Sequence, residues 1–251
     1  MFNLKSIKTQ LILYLAGIAL ILAIKDRAFT FLLAIAISVS AAVLIESLIV
    51  YLKTRSFLVT ESSIITGMII GYVLSSDEVW WKFALAALLA IFSKHSIVFK
   101  KRHIFNPAAF GIFLSTLILG VSTQWMGTYM WYILAPFGIY FARKINKTEI
   151  IIGYAVVSLV LFGTQAFLQD VPFLNIFGYF SYFYIFVMVI EPKTTPFKAA
   201  GKYLFGAGIG ALVFILTGAG VRFDVELFCL LVMNSTVPLL SKIHLNKGGA
   251  A

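Results

Sequence analysis

Four short polar motifs interrupt an otherwise apolar chain, and they hold the residue types able to grip a ligand. Ser62, Ser63, Thr66 and Gly67 stand together in TESSIITGMIIGYVL, and Asn106 with Pro107 in HIFNPAAFG. Glu191, Pro192, Thr194, Thr195 and Pro196 form a third group, and Asn234, Ser235, Thr236 and Pro238 a fourth, within LLVMNSTVPLL. Hydroxyls and amides donate and accept hydrogen bonds without carrying charge. At helix starts they would be joined by free backbone N–H groups, which suit the carbonyl or anionic groups of a ligand. The same residues also read as plain helix caps and breaks, because Ser, Thr and Asn cap and Pro favours first turns. Both readings stand at this level.

Glu46 is the one acid well inside an apolar run. An intramembrane carboxylate is costly and faces a bundle interior or a water path, which makes Glu46 a candidate for an ion pathway. It lies near enough to Tyr51 and the following basic residues to reach the interface instead. His95, His103 and His244 are expected in basic loops, where they could not face one another as paired haem ligands. The single cysteine, Cys229, excludes an intramolecular disulfide and is a poor basis for a metal or iron–sulfur site. No catalytic constellation, metal site or phosphate-cradling loop is visible. The glycines at 206, 208 and 210 fall inside an apolar segment, where they permit close helix packing.

The elements that must position these residues are transmembrane helices. Of 251 residues, 61% are hydrophobic and 12% charged. Mean hydropathy is +0.99. A soluble domain carries about 25% charge. Apolar runs cover approximately 10–24, 28–52, 62–75, 78–93, 104–120, 128–143, 149–168, 172–190, 200–218 and 225–241. They predict an all-α polytopic membrane protein of ten spans, one transmembrane domain over 1–251. A net charge of +10 does not point to nucleic acid, since the basic residues sit between apolar runs. With the N-terminus, the even loops and the C-terminus on one side, Lys and Arg divide 16 to 4. That predicts a multi-pass protein of the cell membrane with both termini cytoplasmic. Trp80, Trp81, Trp125, Tyr129, Trp131 and Tyr132 mark the opposite interface as an aromatic belt. The short third run suggests a broken or re-entrant helix. Ten spans divide five and five, and an odd number per half makes any such repeat inverted. Gly67/Gly71 and Gly206/Gly210, each downstream of an acid and adjacent hydroxyls, are a faint trace of one.

Taken together, SSIITGMIIGYVL, FNPAAFG, EPKTTPFKAAGKYLFGAGIG and LLVMNSTVPLL resemble the RnfD/NqrB family, in family order from about residue 60 to 241. That family supplies a membrane component, RnfD, to the Rnf (ferredoxin:NAD) complex and its counterpart, NqrB, to Na-translocating NADH:quinone oxidoreductase. Where it typically has Asp-Pro-x-Thr-Ser-Pro, this chain has Glu191-Pro192-Lys193-Thr194-Thr195-Pro196. The resemblance implies a ten-helix inverted-repeat fold similar to urea and ammonium channels. It also implies flavin cofactors, partner subunits both membrane-bound and soluble, and electron transfer across the membrane coupled to Na⁺ or H⁺.

The chain departs from the family in one loop. Members usually carry Ser-Gly-Ala-Thr, whose threonine is esterified to FMN. Here Thr123-x-Trp125 resembles the start of that loop, but the chain passes straight into TYMWYILAPFGIYFARK. No covalent FMN is therefore expected. The motifs that would border a non-covalent flavin, riboflavin or FMN, are kept: Ser62, Ser63, Thr66, Gly67, Asn106, Pro107, Glu191, Thr194, Thr195 and Asn234. They are expected to meet in one pocket on the cytoplasmic side. An isoalloxazine ring wants an apolar, aromatic-lined slot with a few polar partners. Phe173, Phe177, Tyr179, Phe180, Tyr182, Phe183 and Tyr184 make the eighth run dense in rings, most of which also read as ordinary packing and lipid-facing aromatics. The expected function is thus a flavin-linked subunit of an electron transport complex, not catalytic alone. The alternatives are a small-solute channel on the same fold without redox work, or a structural subunit whose flavin site has decayed.

Overall fold

The computed structural model describes residues 5–100 and 102–243. They form two compact units, Met1–Tyr129 and Met130–Ala251, which divide the ten apolar runs five and five. The first unit holds α1 (Ile7–Lys25), α2 (Phe29–Thr54), α3 (Glu61–Val73), α4 (Trp80–Ser96) and α5 (Pro107–Leu119), with a hairpin of β1 (Val98–Phe99) and β2 (Arg102–His103) before α5. The second holds α6 (Trp131–Lys144), α7 (Thr148–Leu168), a tight 3-10 stretch Phe173–Tyr179, a π-turn Tyr184–Met188, α8 (Ala199–Gly218) and α9 (Val225–Leu240). Four of the helices, α1, α2, α7 and α8, are long and apolar enough to cross a membrane unaided. The protein is an all-α polytopic membrane protein.

Burial runs inside out, as lipid requires. In α2 the buried residues are Phe31, Ala34, Ser38, Ala42, Glu46 and Ser47, while Leu33, Leu44, Leu48 and Leu52 are exposed. Water would reverse that choice; hydrocarbon accepts leucine and drives Ser and Glu inward.

Small residues set how closely the helices approach. A Cβ on Gly67 would lie 2.5 Å from the Val39 Cα, and one on Gly71 2.7 Å from the Ile35 Cα, so α3 rests directly on the backbone of α2. Gly111 brings α5 equally close to α4 at Ala86. In the second unit, Gly206 of α8 sits against the Ile150 carbonyl of α7, and Gly210 against Tyr154 and Ser158. The glycine pairs noticed in sequence are therefore helix-crossing faces in both units.

Two helices of the first unit are half-length. At 13 residues each, α3 and α5 rise about 20 Å, short of a hydrocarbon core of about 30 Å. Beyond them the chain is extended, and Leu74 bridges Thr123. Ser75 donates to Ser122, Gln124 to Val73 and Met126 to Tyr72 through backbone bonds of 2.7–3.0 Å. The polar backbone freed by the short helices is thus satisfied inside the protein. The eighth run is not a continuous helix either. It starts at Pro172, breaks at the extended Phe180, and resumes as the π-turn.

Glu78 ties the two extended segments together. Its Oε1 accepts from the Ser122 amide at 2.8 Å and hydroxyl at 3.0 Å, and its Oε2 pairs with Lys82 at 2.7 Å. Lys82 first, then Ser122, hold this carboxyl below the usual carboxylate range. A depressed folded-state value makes the tie complete above the ordinary range and lost as pH falls through the lowered value. Hydrogen-exchange protection at the Ser122 amide should fall through that acid window. In E78A, which has no acceptor, protection should already be low at neutral pH and show no such step.

Candidate functional site

In the first unit, the expected residues lie in the first two turns of α3 and at the start of α5. Thr60 caps α3, accepting from the Ser63 amide at 3.2 Å. Ser63 donates to the Thr60 carbonyl at 2.8 Å, and Thr66 to the Ser62 carbonyl at 2.9 Å. Asn106 caps α5, its Oδ1 accepting from the Ala109 amide at 3.0 Å, with Pro107 in the first turn where no N–H is needed. Ser63, Thr66 and Asn106 are all buried, and α3 packs against α5. Capping is thus realised at Asn106. At α3 the cap is Thr60, two positions before the group noted in sequence. Gly67 is taken up by its crossing with α2.

Glu46 is buried in α2, and its partner is Lys94. The ammonium lies 2.6 Å from both carboxylate oxygens and 3.0 Å from Ser62 Oγ. Side-chain exposure is 9% for Lys94 and 5% for Glu46, so water does little of the neutralising. The cluster joins α2, α3 and α4. His95 Nε2 stands 4.0 Å from Glu46 Oε1. Lys94 and His95 are expected in a loop from the hydropathy pattern, but α4 runs on to Ser96 and carries both in its last turn. The Lys94 ammonium there also faces the negative end of the helix dipole. His103 lies in β2 and is buried. His244 lies outside the described residues.

The second unit gathers the other two motifs. Asn234, fully buried in α9, donates from Nδ2 to the Thr194 carbonyl at 3.0 Å. Thr195 donates to the Glu191 carbonyl at 2.8 Å, and Thr194 to Glu191 Oε2 at 3.4 Å. Lys147 donates to the Pro196 carbonyl at 2.6 Å, and Lys202 pairs with Glu149 at 3.1 Å. The Glu-Pro-Lys-Thr-Thr-Pro loop is thereby held to the start of α7 and the interior of α9 rather than left in solvent. Lys147 and Lys202, counted as loop charges in the sequence, are buried. Replacing Asn234 by Leu should cost about 1–3 kcal/mol, because the Thr194 carbonyl loses its donor in a dry place. Thermal denaturation in detergent reads this directly.

A further polar cluster was not legible in the sequence. Glu226 is in the first turn of α9 and bonds to Ser181, with Tyr154, Tyr184 and Cys229 around it. In the sequence it is one acid among several at an interface. The chain is extended at Phe180, just before the buried Ser181, and Glu226 itself is half-buried.

Comparison with known proteins adds to this geometry. Residues 2–132 and 114–248 match the NQR2, RnfD, RnfE family. A curated relative from Stutzerimonas stutzeri, the D component of its ion-translocating oxidoreductase complex, is 36% identical over 53 residues. That stretch is 21% of this chain and 15% of the relative, so the likeness to that one protein is local. The family match, in contrast, runs through both units and takes in α3, the α5 start, the Glu191–Pro196 loop and α9, and so this chain belongs to the NQR2, RnfD, RnfE family.

Proposed function

We propose that this chain is a membrane subunit of an ion-translocating oxidoreductase complex, which binds flavin without a covalent link and helps move electrons across the membrane in step with a cation. Family membership over both units is the observation that carries the reading. The name of the Stutzerimonas stutzeri relative agrees with it. Any reaction with a soluble electron carrier falls to partner subunits.

The residues proposed for flavin contact are Ser62, Ser63, Thr66, Gly67, Asn106 and Pro107 in the first unit and Glu191, Thr194, Thr195 and Asn234 in the second. Their chemistry fits such a ligand. The hydroxyls of Ser63, Thr66 and Thr195 donate into the fold, which leaves oxygen lone pairs to accept from a ring N–H. Apart from Glu191, the set is uncharged, as suits a ring with carbonyl and imide edges. Glu46 is assigned to the ion pathway, as the buried acid of the first unit.

The test is an absorption spectrum of the purified full chain, alone and with whatever subunits accompany it, before and after denaturing acid extraction. Flavin bands that pass wholly into the supernatant are expected. A colourless preparation of intact protein with no extractable flavin overturns the cofactor assignment. Flavin that stays on the denatured chain overturns its non-covalent form.

A further inference from the structure

We infer that Glu46 and Ser62 form a monovalent-cation site which Lys94 fills from within the chain. The ammonium is held by three oxygens, two at 2.6 Å and one at 3.0 Å. Those are the lone pairs an alkali cation would use: one anionic carboxylate and one neutral hydroxyl, supplied by two different helices. Both Lys94 and Glu46 are nearly sealed from solvent. Oxygen ligands in a dry setting are what hard cations require. Ser62 has its oxygen turned to the ammonium, so the hydroxyl acts as an acceptor here, as it would toward a metal ion. His95 Nε2 stands 4.0 Å from Glu46 Oε1, with Lys53 and His103 in electrostatic reach of it, and the carboxylate of Glu61, next to Ser62 in α3, is taken up by the hydroxyls of Ser6 and Thr9. One positive charge therefore balances one buried carboxylate, and a diffusing cation enters only when Lys94 withdraws.

The geometry also explains why Lys94 is lysine. Arginine's planar fork would engage the carboxylate in two parallel bonds but places its charge on a broad plate. A compact ammonium with three tetrahedral donors can reach two carboxylate oxygens and a hydroxyl at once. In size and in its demand for surrounding oxygens it is the side chain nearest to a bare monovalent ion.

The inference rests on the assignment of Glu46 to the ion pathway and is separable from the flavin assignment. A colourless protein would leave it intact, and a failed cation titration would leave the flavin assignment intact. The test is K94M in the full-length protein. Methionine reproduces the lysine stem as far as Cε and lacks only the ammonium, so it opens an ion-sized space beside the carboxylate. The melting midpoint of K94M in detergent should climb with NaCl or KCl, by about 3–5 °C for each tenfold increase once the site is filling. Choline chloride at equal ionic strength should leave it flat. Wild-type protein, its site already filled, should show no difference between the alkali and choline series, and E46Q/K94M should show none either. Three results would overturn the inference: a K94M midpoint indifferent to alkali cations, an equal response in E46Q/K94M, or K94M protein that is recovered only when E46Q accompanies it whatever the salt. The last would mean that no small cation can replace the ammonium.

Discussion

Replacing Gly206 by Leu should abolish recovery of folded protein, and replacing it by Ala should already lower the melting midpoint. A Cβ at this position would lie 2.0 Å from the Ile150 carbonyl oxygen and 2.9 Å from both the Ile150 carbonyl carbon and the Tyr154 nitrogen. All three are backbone atoms of α7, so no rotamer change relieves the overlap. The helices must separate, and their contact is held by dispersion rather than by expulsion of water. Overpacking of a tight interior costs about 1–3 kcal/mol, which is the expectation for alanine. Leucine adds three more carbons against the same backbone and belongs with the exceptional substitutions above about 4–5 kcal/mol. Two neighbours in α8 make the experiment specific. At Gly208 an added Cβ would meet only the Met233 thioether end, at 2.6 Å, and methionine can move. At Gly218 it would meet nothing within 4 Å. The expected order of damage is therefore Gly206→Ala well above Gly208→Ala, with Gly218→Ala neutral or slightly stabilising, because alanine favours a helix. Equal losses at all three positions would show that glycine flexibility, not close approach, is what α8 needs.

That series also illustrates how much the sequence carries. The placement of the apolar runs was legible because lipid imposes a simple rule on long stretches, and each predicted run corresponds to a helix or helical stretch in its unit. Gly206 and Gly210 were legible as packing residues because small residues four apart share one helix face. Asn106 was legible as a cap because Asn followed by Pro and an apolar run has few other uses. What hydropathy could not show is where polar residues end once a helix is one turn longer than its apolar run. Lys94 and His95 follow the apolar run 78–93 and count as loop; one further turn of α4 carries Lys94 onto Glu46. Lys147 and Lys202 are hidden in the same way, by partners distant in sequence, at Pro196 and Glu149. Glu226 meets Ser181 beside a break at Phe180 that no periodicity announces. A buried charge is a property of a pair, and a single sequence presents its members one at a time.

Glu46 offers the sharpest case of such a pair, and its removal should be costly only while Lys94 remains. In E46L the ammonium stays among buried atoms with the Ser62 hydroxyl and without its carboxylate. Breaking one side of a buried pair costs about 3–5 kcal/mol, mostly from the charge left behind. For a chain of this size that corresponds to a melting midpoint lower by roughly 10 °C. Lys94 sits in the last turn of α4, so its flexible stem can turn toward the interface, which places the expected loss at the lower end of that range. Adding K94M to E46L removes the stranded charge and replaces the pair by two apolar side chains of similar volume. Such replacements are often neutral or stabilising in proteins. The double variant should therefore recover most of the lost midpoint, although it lacks every ionic contact of the wild type. Recovery would show that the pair is not kept for stability, and would direct attention to what a carboxylate beside a removable cation can do in a protein that spans a membrane. A double variant as unstable as E46L would show instead that Glu46 holds α2 to its neighbours through contacts other than Lys94, and would withdraw it from the ion pathway.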